Sequence, residues 1–251
     1  MKQLIPIFLL VLFAGQNSLS AQHFADAQLQ ATRVSIAKAD KDKQLREECS
    51  RIGIDFDEIT NIYLRGLKQE EILEVWVQQG IDNDYVLFKE YQFCATSGKL
   101  GPKREQGDGQ IPEGFYFIDH FNSTSNYYLS LGVNYPNPSD VVEGNRASLG
   151  GSIYIHGACE TIGCIPITDD KIKELYWLSV VAKDHGQKHI PVHIFPYKFD
   201  QNTPKPYNVY NINDPDMLAF WDDIEPGYYH FEQYRKPPFV VINADGSYDF
   251  Y

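Results

Sequence analysis

The chain has 251 residues, 43% of them hydrophobic and 14% aromatic, and its 22 basic and 34 acidic residues give a formal charge of -12. That length buries a substantial core, as one decorated domain or two small ones. The acidic balance argues against nucleic acid, whose phosphates would be repelled, and leaves uncharged or zwitterionic peptides open as substrates.

Residues 1–21 have a separate logic. Lys2 supplies a positive start, Leu4 to Ala14 is apolar apart from Pro6, and Ser18, Ser20 and Ala21 are small. The pattern predicts a secretory signal peptide cleaved near Ala21, because the apolar run is short for a bilayer span. An uncleaved N-terminal anchor is the alternative. No cysteine follows the run, which argues against a lipoprotein. The expectation is an exported protein of the periplasm or cell-wall compartment, with no stable membrane insertion after cleavage.

Residues 22–58 read as a helical extension. The proline-free stretch 24–51 places Leu29, Val34, Ile36 and Leu45 loosely at helical spacing, and Gly53 is a stop signal. Such a helix leads into or packs on the main domain; a solvated spacer is the alternative. Residues 59–251 read as that main domain. Ile59 to Leu64, Ile72 to Val77 and Tyr85 to Cys94 predict three strands joined by polar turns, an antiparallel meander. A turn-rich loop follows, and Phe115 to Ile118 resumes a strand. Residues 122–148, polar and aromatic with Pro136 and Pro138, read as a long surface loop over a cleft. Gly151 to His156 is the next strand. Thr168 caps a helix to about Asp184, with Asp169 and Asp170 in its first turn and Ile172, Leu175, Tyr176 and Val180 as the buried stripe. Ile190 to Tyr197 is a strand, Asp214-Pro215-Asp216 starts a short helix, and Pro237 to Ile242 is the last strand. The fold class expected is mainly β with packed helices (α+β).

Candidate chemistry gathers in Ile153 to Ile167. His156 sits at the mouth of a strand before Gly157, and Cys164 follows Gly163, eight positions on. A thiol with a pKa of about 8.5 is a poor nucleophile at neutral pH, and a histidine within reach accepts its proton. The backbone N–H groups of Gly163 and Cys164 are candidates for holding an oxyanion. Three other readings of these residues stay open. His156, Cys159 and Cys164 with His185, His189 or His193 would supply a zinc site. Cys159 and Cys164 would form a disulfide in an exported loop. His156 and Cys164 would simply be core residues. If Cys164 stays reduced, a Cys94–Cys159 bridge is one pairing open to the rest, and sequence alone does not set it.

The segment His156-Gly157-Ala158-Cys159-Glu160-Thr161-Ile162-Gly163-Cys164 resembles the catalytic signature of the L,D-transpeptidase catalytic domain (YkuD-type) family, and is similar to its YafK-like murein L,D-transpeptidase subgroup. Further blocks share the likeness: Phe93 to Gly98, Gly101-Pro102-Lys103, Gly107-Asp108, Pro112 to Tyr116, and Phe231 to Pro238 with its Arg235-Lys236-Pro237-Pro238. The resemblance implies an L,D-transpeptidase-like β-sandwich or barrel and peptidoglycan stem peptides as partners. It implies an enzyme in which Cys164 attacks the carbonyl of the third stem residue, and an amine or water resolves the thioester. His156 takes the place of the base, Gly157 orients it through its carbonyl, and Gly163 shapes the turn. Most members carry a second histidine two residues before the cysteine and Asn or Arg two after; Ile162 and Pro166 stand there here. Tyr154, two residues before His156 on one strand face, is a candidate cleft residue, and Lys103 and Arg104 are candidates for the stem peptide's carboxylates. No cofactor and no metal are expected. An L,D-carboxypeptidase or amidase is the alternative with the same fold, and a non-catalytic wall-binding module is the alternative of another class.

Overall fold

The structure is a computed structural model that describes residues 24–200, 202–205 and 213–251. The expected signal peptide, residues 1–21, lies outside the described residues. Helical residues 24–29 precede α1 (Thr32–Arg51), and Gly53, in the left-handed region at φ 78°, follows its end. Strands β1 (Ile59–Leu67), β2 (Ile72–Gln79) and β3 (Val86–Gln92) pair antiparallel in turn, as their short polar links predict. Then come β4 (Gly114–Asn122), β5 (Ser130–Val133), α2 (Pro138–Glu143), β6 (Ile153–His156), β7 (Ile165–Pro166), α3 (Thr168–Asp184) and β8 (Ile190–Phe195). The C-terminal part adds α4 (Pro215–Tyr234), β9 (Val240–Ile242) and β10 (Tyr248–Phe250).

Eight strands form one sheet in the order β3-β2-β1-β8-β4-β5-β6-β7, and β9 and β10 form a separate hairpin. Strand β8 is inserted parallel to β1 and antiparallel to β4. Its side chains alternate as a strand buried on both faces requires. Ile190, Val192 and Ile194 join the core shared with α1 and α3, while Phe195 joins the core under α4 and the hairpin.

The N-terminal helix is part of that first core. Val34, Ala37, Leu45 and Cys49 are buried within it, whereas Ile36, expected on the same stripe, is 43% exposed. Polar contacts secure the helix to α3. Lys41 pairs with Glu174 at 3.2 Å and Asp170 at 2.6 Å, and Trp177 Nε1 donates to Asp42 at 2.8 Å. Burial pushes the Glu174 carboxyl up, but Lys89, Tyr91 and Lys41 outweigh it and hold it below the usual range. A charge so satisfied is compatible with a dry interior.

Three expectations are corrected. Residues 122–148 are no open surface loop: they contain β5 and α2, and Leu129, Leu131, Val133 and Tyr135 are buried. Asn137 caps α2 through a capping box with Asp140, which sets the helix start despite its short length. Helix α4 is 20 residues long and continues through Pro226. An interior proline costs about 3 kcal/mol, and the buried stripe of Trp221, Ile224, Tyr228 and Phe231 outweighs that cost. The chain also does not end on one strand, because β10 returns after the turn at 244–246 to pair with β9.

Candidate active site

Strands β6 and β7 run parallel in the register Ile155↔Ile165 and His156↔Pro166. Ile153, Ile155 and Ile165 enter the core on one face. By alternation Tyr154 and His156 lie on the other, and the Tyr154 N–H reaches the thiol of Cys164, the residue before β7. His156 and Cys164 therefore stand at diagonal positions across the paired segments, Cys164 one residue before β7. The eight-residue separation is closed by strand pairing.

Each group is held by backbone. His156 is 1% exposed; its Nδ1 bonds the carbonyl of Gly157, which makes Nδ1 the donor and Nε2 the free acceptor of the neutral ring. Gly157 N donates to Leu129 O at 3.2 Å, and Ile167 N donates to His156 O at 2.9 Å. A Cβ at Gly157 would stand 2.5 Å from Asp169 Oδ1 and 2.7 Å from Tyr127 O, so no side chain fits. Gly163 has φ 133°, and a Cβ there would meet Gln110 O at 2.8 Å. The Tyr127 ring stacks on the imidazole with centroids 4.5 Å apart.

The thiol of Cys164 lies 3.6 Å from Ser152 O. Burial pushes it above the ordinary cysteine value, while the Tyr154 N–H and the charge of Lys103 pull in the other direction. Burial also lowers His156, opposed by its bond to Gly157. Near neutral pH both groups are uncharged, so the pair rests as thiol and imidazole.

Thr161 organises the turn before the cysteine. Its Oγ1 accepts from Gly163 N at 3.1 Å and from Cys164 N at 2.8 Å, and donates to Cys164 O at 2.8 Å. These two N–H groups, expected to be open to an oxyanion, are thus already occupied. Thr161→Val keeps the shape and removes both acceptor and donor, and is expected to cost about 1–3 kcal/mol, measured as a shifted urea midpoint.

Cys159 is bonded to Cys94, while Cys49 and Cys164 are free thiols. That bridge overturns the Cys159–Cys164 pairing and removes one thiolate from the zinc set.

Residues 68–194 match the L,D-transpeptidase catalytic domain family, YkuD. The candidate L,D-transpeptidase YafK of Escherichia coli (strain K12) is 36% identical over 186 residues, covering 73% of this chain and 72% of that one. The chain belongs to the L,D-transpeptidase (YkuD) family. The YafK of Escherichia coli O157:H7 matches with the same figures. Among solved structures, the helical cell shape determining protein Pgp2 of Campylobacter jejuni is 19% identical with a TM-score of 0.41, covering 74% of this chain and 76% of that one. Bd1075 of Bdellovibrio bacteriovorus is 19% identical with a TM-score of 0.42, covering 76% and 85%.

In this L,D-transpeptidase family chain the other expected site residues separate. Tyr154 is half-buried, edge-on to His120 with ring centroids 5.3 Å apart. Lys103 is 4% exposed, and its ammonium donates to Asp108 Oδ1 at 2.6 Å and Glu105 O at 2.7 Å. It is therefore engaged within its own loop, not presented to a substrate carboxylate, and it reaches the site as a field on Cys164. Arg104 is more open: its guanidinium lies 4.8 Å from the Phe220 ring centroid and 3.7 Å from Asp140. It lines a cavity of about 1300 Å³ between the 96–102 loop and the carboxylates of Asp214, Asp216, Asp223 and Asp245. Neither Cys164 nor His156 lines that cavity; Gln110 does, and its carbonyl abuts Gly163. Sequence reasoning missed Tyr127, Thr161 and Gln110. The Thr161 hydroxyl three residues before the cysteine was the one local signal available.

Proposed function

We propose that the protein is an exported cysteine acyltransferase that remodels peptidoglycan stem peptides through a thioester on Cys164. The observation that carries the reading is the β6–β7 pairing that brings the Cys164 turn to the strand of His156, with Nδ1 committed to Gly157 O. The thiol proton passes to Nε2 as sulfur attacks the carbonyl of the third stem residue. Collapse breaks the amide, and the leaving amine departs with the proton from His156. An acceptor amine then attacks the thioester, His156 takes its proton, and the new amide forms as the thiol is released. Tyr154 would line the cleft, and Arg104 in its cavity would meet a carboxylate of the peptide.

The proposal divides residues 22–58, a bracing extension, from a catalytic domain at 59–251. No helix among the described residues is long and apolar enough to cross a membrane. Incubation with defined muropeptides tests the function. Cross-linked dimers joined through third residues, with a transient acyl adduct on Cys164 by mass spectrometry, are expected. Shortened or released monomers instead would identify an L,D-carboxypeptidase or amidase. Turnover with no adduct on Cys164 would defeat the thioester route.

A further inference from the structure

Helix α1 lies outside the residues that match the family, yet it reaches the loop that covers His156. Arg33 Nη1 donates to Ser125 O at 2.6 Å and to Tyr128 O at 2.7 Å, gripping the backbone on both sides of Tyr127. Ser125 Oγ in turn accepts from Tyr127 N at 3.0 Å. Tyr128 is held in the left-handed region at φ 70°, with Arg33 5.6 Å and Lys173 5.7 Å from its ring centroid. The Tyr127 ring is stacked on His156 although it is 40% exposed. Burial alone does not fix a ring so open to water, so its place depends on the backbone that Arg33 clamps. The helix that carries Arg33 is anchored, since Val34 and Ala37 beside it are fully buried.

We propose that Arg33 and Tyr127 are positioning residues for the catalytic base. In this arrangement α1 holds the 125–128 loop, and the loop holds the Tyr127 ring against His156, fixing the imidazole rotamer that bonds Gly157 O and offers Nε2 to Cys164. The role as base rests on the function proposed above; the clamp does not. The loop lays the Tyr127 ring on the imidazole, Gly157 O bonds its Nδ1, and the first turn of α3 brings Asp169 beside Gly157, its Oδ1 accepting from Ala158 N at 2.8 Å. Loss of the ring admits water to the imidazole, which relieves the burial that lowers its pKa.

The test uses the purified full chain. The His156 ring proton is titrated by NMR, assigned with His156→Gln, and iodoacetamide alkylation of Cys164 is followed against pH. Arg33→Ala and Tyr127→Ala are expected to move the His156 titration upward towards 6.5, its ordinary value. Muropeptide turnover should slow about tenfold to hundredfold, as expected for a displaced catalytic group. Tyr127→Phe, which keeps the ring, should titrate like the parent, and Arg33→Lys should fall between. An unchanged titration in folded Arg33→Ala would overturn the proposal, as would a Tyr127→Phe shift equal to that of Tyr127→Ala. If Tyr127→Ala does not fold, Arg33→Ala decides alone. A moved titration in a protein that turns over no muropeptide sinks the enzymatic reading and leaves the clamp standing.

Discussion

Cys164→Ala is expected to lower muropeptide turnover by at least about 10³-fold, because no covalent intermediate forms without the sulfur. The fold should tolerate the change. The sulfur meets the Tyr154 N–H and, at a long 3.6 Å, Ser152 O, while the turn is held by Thr161. Thermal unfolding within a few degrees of the parent, with activity gone, is the outcome that places Cys164 in the chemistry. Preserved turnover would sink the nucleophile. His156→Gln should lose about 10²–10⁴-fold and, more tellingly, the acid limb of the pH profile. The imidazole must be neutral to accept the thiol proton, and burial has lowered its pKa beneath the ordinary 6.5. Parent kcat/KM should therefore stay level as pH falls through 6.5 and drop only below it. The half-buried thiol, raised above its ordinary value, contributes no limb in that window. The same shift has a sign for stability: below the unfolded histidine's pKa the unfolded chain binds the proton more readily, so this site destabilises the fold as pH falls.

Most of the sheet was legible because it obeys short-range rules. Strands β1 to β3 are apolar runs separated by polar turns, and α3 begins with an acidic turn and ends before Gly186 at φ 102°. Where local rules were outvoted by packing, the reading failed. Pro226 is a helix-breaking signal that the aromatic stripe of α4 overrides. Strand β5, with four residues all buried, has no alternation to read. The pair His156 and Cys164 was legible as residue types beside glycines. The strand pairing that draws their segments together was not, because parallel pairing of β6 with a two-residue β7 leaves almost no periodic trace. Tyr127 and Arg33 were invisible for a stronger reason, since their contacts span 29 and about 95 residues of sequence.

Removing the Cys94–Cys159 bridge is expected to cost about 4 kcal/mol of stability, from the entropy returned to the unfolded chain by opening a loop of 65 residues. The bridge joins two segments that the sheet alone ties loosely. Cys94 N donates to Pro166 O at 3.0 Å just beyond β3, and Cys159 lies in the turn between His156 and Cys164. A Cys94→Ala, Cys159→Ala double variant should show a lowered urea midpoint, and dithiothreitol should lower the parent's midpoint to match while leaving the variant's unmoved. Neither remaining thiol exchanges readily, since burial pushes Cys49 up to about 12 and raises Cys164 as well, which keeps both as thiols. An unchanged midpoint after complete reduction would show that the bridge contributes nothing. The expected effect on chemistry is smaller than that on stability. Thr161 fixes the Cys164 side of the turn, and Gly157, Leu129 and Ile167 fix the His156 side, so the bridge secures the span between two ends already held. Turnover per folded molecule should therefore fall by less than about tenfold, below the loss expected for a displaced catalytic group. A bridge of this weight also bears on compartment: it persists only where thiols are oxidised, in keeping with the proposed export, while Cys164 must escape that oxidation to act.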